Sequence, residues 1–108
     1  MPDTIDLVAI LTPKAGNADR VEELLKNIAE TVKEKEPGVL RYHLQRETQG
    51  DAPVLIMFET YKDKATLQAH GSTDHFKELG KVLEGESLLA EPMKIIFTKA
   101  VGGYASRL

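Results

Sequence analysis

The sequence predicts an α+β domain of the split βαβ type, a four-stranded antiparallel sheet with its helices on one face. Three observations carry that expectation. Apolar periodicity switches along the chain in the order β-α-β-β-α-β. The extended segments are punctuated by Pro, Gly and Asp, as strands are. The 108 residues suffice for one core and not for two. Residues 1–101 are expected to form the domain, and residues 102–108 a flexible tail.

Residues 5–12, Ile-Asp-Leu-Val-Ala-Ile-Leu-Thr, are β-branched and leucine-rich and read as a buried strand. Pro13-Lys14-Ala15-Gly16 breaks it. Asn17 then stands where a helix N-cap belongs, and Asp19, Glu22 and Glu23 put negative charge near the positive helix end. Val21, Leu24, Leu25, Ile28 and Val32 recur at spacings of three and four, so residues 18–35 form an amphipathic helix. Glu36-Pro37-Gly38 stops it, since proline cannot continue the ladder. Residues 39–48 form the second strand, residues 49–53 a turn, and residues 54–61 the third strand. Asp63 caps a short helix through Ala69, and Ser72 or Thr73 caps another through Leu83. Gly85 loosens the chain, and Pro92 opens a last strand over residues 94–101.

The strands are apolar on both sides. In the third, Val54, Ile56 and Phe58 point one way and Leu55 and Met57 the other; the first sets Leu7, Ala9 and Leu11 against Val8 and Ile10. The last sets Ile95 and Phe97 against Ile96. The helices of so short a chain cover one face only, and the other would expose more apolar surface than monomers usually show. A homodimer packed sheet to sheet is expected on that ground.

Composition narrows the function. A net charge of −3, with basic residues scattered among acids, argues against nucleic acid and anionic membranes as partners. No apolar run approaches the roughly 20 residues of a membrane span. Cysteine is absent, which removes disulfides, thiolate metal sites and a cysteine nucleophile. Met1-Pro2-Asp3-Thr4 lacks a signal-peptide pattern, so an intracellular location is expected. No phosphate-binding glycine loop and no nucleophile elbow is present.

The densest group of proton-handling residues runs from Glu59 to Phe76 and holds two of the three histidines, His70 and His75. Imidazole titrates near neutral pH unperturbed, so either could serve as a general base. The bland alternative is that each caps a helix end or packs on the sheet. Glu59 and Tyr61 alternate onto the face of Leu55 and Met57. A carboxylate there is costly unless paired. It would either salt-bridge Arg41, Arg46 or a lysine, or orient a histidine and bind substrate. His43 shares a strand face with Arg41, and Tyr42 lies on the other with Leu44; His43 reads best as a hydrogen-bonder between subunits. Two His at i and i+5 across a helix break match no zinc spacing, so no metal is expected.

These residues resemble the antibiotic biosynthesis monooxygenase (ABM) domain family along nearly the whole chain. Lys14-Ala15-Gly16 is similar to its Lys-Pro-Gly turn, with Ala15 for proline. Glu36-Pro37-Gly38-Val39-Leu40-Arg41-Tyr42 resembles its lead into the second strand. Glu59-Thr60-Tyr61-Lys62-Asp63, His70 and Thr73-Asp74-His75-Phe76 match its next motifs, and Leu88-Leu89-Ala90-Glu91-Pro92 the segment before the last strand. The resemblance implies a ferredoxin-like monomer, a dimeric α+β barrel, and a pocket between sheet and helices. Family chemistry includes oxidation of phenolic or anthrone-like rings by dioxygen without a cofactor, haem degradation, and isomerisation of a phosphorylated sugar. The haem branch uses a pocket tryptophan, which this chain lacks.

The expected function is therefore cofactor-independent oxidation of a small aromatic or enolisable substrate. His70 or His75 would be the base, Glu59 would orient it, and Tyr61 would donate to the substrate oxygen. Phe76, Met57, Leu55 and Arg41 would contact substrate. A non-redox isomerase or lyase, or a non-catalytic binding or stress-response dimer, are the alternatives. Ser106-Arg107-Leu108 is similar to the Ser-Lys-Leu peroxisomal address, so the peroxisomal import receptor is a further expected partner in a eukaryote. In a bacterium the tripeptide carries no meaning and the cytoplasm is expected.

Overall fold

The computed structural model describes residues 3–108, so residues 1 and 2 of the expected domain lie outside the described residues. In chain order it contains β1 (Ile5–Leu11), α1 (Ala18–Lys35), β2 (Val39–Arg46), β3 (Leu55–Tyr61), α2 (Lys64–Gly71), α3 (Asp74–Gly85) and β4 (Lys94–Thr98). The strands form one antiparallel sheet in the order β2-β3-β1-β4, the α+β ferredoxin-like arrangement. Two strands stop earlier than the sequence suggests. Asp6↔Thr98 is the last pair of β4, and residues 99–101 lie outside the ladder. Arg46↔Leu55 ends β2, and Glu47 N–H donates to the Val54 carbonyl across the turn that follows.

The core lies between α1 and the sheet. Leu7, Ala9 and Leu11 of β1 and Leu55, Met57 and Tyr61 of β3 face Ala18, Val21, Leu25, Ile28 and Val32 of α1. Burying each larger aliphatic side chain stabilises by about 1.5–3 kcal/mol. Arg46 pins the end of β2 to α1 through Asp19 (2.8 Å) and Glu22 (2.9 Å). Asn17 does not cap α1 as expected; its amide turns away and donates to the Leu88 carbonyl at 3.4 Å. Asp63 does cap α2, accepting from Thr66 N–H at 2.8 Å, and Thr73, not Ser72, caps α3. α2 turns Leu67 and His70 inward and leaves Ala65, Gln68 and Ala69 exposed. The stripe of α3 (Phe76, Leu79, Val82 and Leu83) is only half-buried.

Among the described residues no helix lies on the other side of the sheet. There Val8, Ile10, Ile56 and Phe58 stay half-buried and Ile96 is 39% exposed, with the Arg41 guanidinium 5.3 Å from the centre of the Phe58 ring. A second copy is the expected cover for this apolar face. Sedimentation at micromolar concentration should then give about twice the 12.0 kDa of one chain. Phe58→Glu should dissociate or unfold the assembly, and a stable monomer of the unsubstituted chain would refute it.

Candidate functional site

β3 sets the first half of the site. Its period of two brings Glu59 and Tyr61 to the helix side next to Met57, and the register Tyr42↔Glu59 puts Tyr42 of β2 on the same side. Glu59 is not salt-bridged to arginine or lysine, as one reading of the sequence had it. Arg46 is committed to α1, and Glu59 instead accepts from the Tyr61 hydroxyl at 2.5 Å. Burial pushes the Glu59 carboxyl up to about 7; the Tyr61 hydrogen bond opposes that shift and the like charge of Glu36 adds to it. Burial, reinforced by the negative charge of Glu59, drives the Tyr42 and Tyr61 phenols above their ordinary value. Both therefore remain hydrogen-bond donors at neutral pH.

The turn between α1 and β2 supplies the second half. Glu36 follows α1 directly and its N–H still bonds to the Val32 carbonyl at 2.8 Å, which fixes its side chain one turn beyond the buried stripe. At Gly38 a Cβ atom would meet the Thr66 side chain at 2.8 Å, so glycine lets α2 lie against this turn. That approach carries His70, in the last turn of α2, to the Glu36 carboxylate: Nδ1 lies 2.9 Å from Oε1. The cap of α3 carries His75 to the same carboxylate, with Nε2 2.5 Å from Oε2. The buried His70 ring packs on Tyr42, Tyr61 and Phe76, with centroids 5.0–5.4 Å away, and its Nε2 faces the Tyr42 hydroxyl at 3.5 Å. Among the described residues no three His, Cys, Asp or Glu side chains are arranged to hold a metal ion.

These groups meet at a cavity of about 180 Å³ between sheet and helices. Its walls are apolar, built from residues such as Leu7, Met57, Leu79 and Met93, and its polar groups are Tyr42, Glu59, Tyr61 and His70. Of the expected site residues, His70, Glu59, Tyr61, Phe76 and Met57 line it. Three do not. His75 stops at Glu36, outside the lining, with its side chain 20% exposed. Leu55 is fully buried at the far end of β3, paired with Leu11 and Arg46. Arg41 pairs with Thr60 on the opposite face of the sheet. Glu59 does not hydrogen-bond a histidine; Glu36 does, a residue the sequence marked as a helix stop and as part of a family motif but not as a site residue. Tyr42 was also missed as a site residue, although its strand face was read correctly.

The raised Glu59 carboxyl sets a pH dependence of stability. Folded, it keeps its proton up to about pH 7; unfolded, it loses it near its ordinary value of 4.5. The folded state therefore binds more protons between those limits. Its contribution is complete below about pH 4.5 and is lost as pH rises through 7, a change on the order of 3 kcal/mol. Urea melts across pH 4.5–7.5 should show that decline, and Glu59→Gln, which still accepts from Tyr61, should flatten it.

The model of the family described as "Antibiotic biosynthesis monooxygenase" (ABM) matches residues 4–81. A Bacillus subtilis (strain 168) protein named "Putative monooxygenase YcnE" is 31% identical over 83 residues, covering 75% of this chain and 84% of that protein. A Caulobacter crescentus CB15 crystal structure is 31% identical with a TM-score of 0.82, covering 94% of this chain and 92% of the other. The structure of PA3566 from Pseudomonas aeruginosa is 26% identical with a TM-score of 0.82, covering 94% and 98%. The family match spans most of the chain and takes in the two strands, the turn, α2 and the first part of α3 that build the site. This chain belongs to the antibiotic biosynthesis monooxygenase family.

Proposed function

We propose that the chain is a monooxygenase-type enzyme that oxidises a small aromatic or enolisable molecule with dioxygen and without a cofactor. The observation that carries this reading is a buried imidazole, His70, with one nitrogen held by a carboxylate and the other turned toward Tyr42 at an apolar cavity. In the reaction, His70 Nε2 takes a proton from a carbon or hydroxyl made acidic by the ring, leaving an electron-rich enolate or phenolate. A carbon of that anion gives electrons to dioxygen and bonds to it. The peroxide so formed recovers the proton from His70, loses the C–H proton left on the oxidised carbon and releases water as the O–O bond breaks. A CH₂ group and O₂ become C=O and H₂O, or a phenol's O–H and ring C–H and O₂ become two quinone carbonyls and H₂O, with no net proton or electron left over. Tyr42 donates to the oxygen that gains charge, and Glu59, which accepts from the Tyr61 hydroxyl, has oxygen lone pairs left to accept from a substrate hydroxyl.

The walls favour small, uncharged substrates. A cavity of about 180 Å³ lies below the roughly 300–1,000 Å³ of sites for drug-sized ligands, and no lysine or arginine lines it. That weighs against haem and against a phosphorylated sugar. The isomerase alternative keeps support from the presence of two proton-handling groups, His70 and Glu59, in one cavity, and it differs in consuming no oxygen.

Phenols, hydroquinones and enolisable ketones should be screened with an oxygen electrode. Turnover should consume one O₂ per product, and His70→Ala should lower the rate by roughly 10²–10⁴. Phosphorylated counterparts of an active compound should not bind. Product without oxygen uptake would replace this reading with the isomerase, and binding without conversion would replace it with a binding dimer. The exposed Ser106-Arg107-Leu108 end would act as an address only in a cell with peroxisomes. There a fluorescent protein bearing the tail should become punctate, and removing Leu108 should disperse it.

A further inference from the structure

We infer that Glu36 and His75 act through His70, as positioning residues that hold its imidazole in the Nδ1–H tautomer with the Nε2 lone pair turned toward Tyr42 at the cavity. This rests on the proposed role of His70 as the base.

The hydrogen-bond inventory fixes the tautomer. A carboxylate only accepts, and both Glu36 oxygens lie within hydrogen-bond distance of a ring nitrogen, at 2.9 Å from His70 Nδ1 and 2.5 Å from His75 Nε2. Each of those nitrogens must therefore carry the proton. A neutral His70 protonated at Nδ1 has its lone pair on Nε2, the nitrogen on the Tyr42 side. The opposite tautomer would set a lone pair against the carboxylate and leave the cavity side with no base. When substrate protonates Nε2, the Nδ1–H stays on Glu36 and the imidazolium forms beside a fixed negative charge. Its proton then returns to the peroxide oxygen and the tautomer is restored without any turn of the ring.

Helix stability does not account for Glu36. It stands at the C-terminal end of α1, where the helix dipole opposes an anion, and its side chain is only 11% exposed, where loss of hydration opposes one again. No lysine or arginine among the described residues forms an ion pair with it. The two imidazole N–H groups are what offset those penalties. His75 has a separate task. Glu36 Oε1 can hold His70 at a fixed angle only if the carboxylate does not rotate, and the bond from His75 to Oε2 stops that rotation. The clamp ties together the end of α1, the last turn of α2 and the first turn of α3. His75 thus serves the base without touching substrate.

Ring-nitrogen NMR of ¹⁵N-labelled protein, recorded where all imidazoles are neutral, reads the tautomer with no substrate present. His70 should appear as a single Nδ1–H species. In Glu36→Gln, whose amide can donate as well as accept, the tautomer ratio should fall at least about tenfold, the weight of one charge-assisted hydrogen bond. His75→Ala should shift it the same way by a smaller factor, whereas His75→Gln, which can still donate to Oε2, should keep the original spectrum. An Nε2–H His70 in the unsubstituted protein would overturn the inference, and so would a Glu36→Gln spectrum identical to it. Amide dispersion checks folding. Should Glu36→Gln unfold, the His75 pair decides, since equal spectra for His75→Ala and His75→Gln would overturn the clamp. A correct tautomer together with no oxygen uptake on any substrate would sink the proposed function and leave the clamp standing.

Discussion

The alternation of side chains along β3 is the constraint on which the rest of this molecule depends. β3 sits between β1 and β2, so its inward row runs Leu55, Met57, Glu59, Tyr61 against the helices. The row begins in the dry core and ends in hydrogen-bonding groups. A slip of one residue would send Ile56, Phe58 and Thr60 inward and bury no carboxylate at all. Because residues two apart on a strand share a face, the Tyr61 hydroxyl reaches Glu59 without help from another element. The desolvation of that carboxylate is offset in part within the strand that causes it.

Most of the frame was legible because it is local. The spacing of Val21, Leu25, Ile28 and Val32 announces α1, and all four are buried. Period-two runs and proline or glycine breaks announce the strands, and the inward placement of Glu59 and Tyr61 follows from counting along one of them. His70 was legible as a polar residue on a helix that must close over the sheet. Its neighbours Thr66 and Asp63, through the cap, fix where that helix starts and hence which way His70 points.

What stayed hidden depends on distant pairing. Glu36 reads as the acidic residue before a proline, and nothing nearby hints at partners 34 and 39 residues further on. The relation appears only when α2 settles against Gly38. The signal that could have raised it is its place at a helix C-terminus, where a carboxylate is unfavourable and asks for a reason. Arg41 was misplaced for a related cause. Its strand face was read correctly, but the register that sets β2 beside β3 turns that face away from the cavity. Leu55 shares the inward row and still misses the cavity, because distance along a strand matters as much as side.

α3 carries no buried side chain, although it forms part of the cavity wall through Phe76 and Leu79. Half-buried Phe76, Leu79 and Leu83 hold it on the core, helped by the His75 bond to Glu36 and the Arg20–Glu86 ion pair just past its end. Local stability follows buried apolar contact, so this helix should open more readily than α1 or β3. Its amides will exchange with solvent through openings far cheaper than global unfolding, while those of α1 and β3 wait for the whole domain to come apart. Each such opening would lift one wall of the cavity. Local opening of α3 would widen the way for small molecules into the interior while leaving in place the sheet that carries Glu59 and Tyr61.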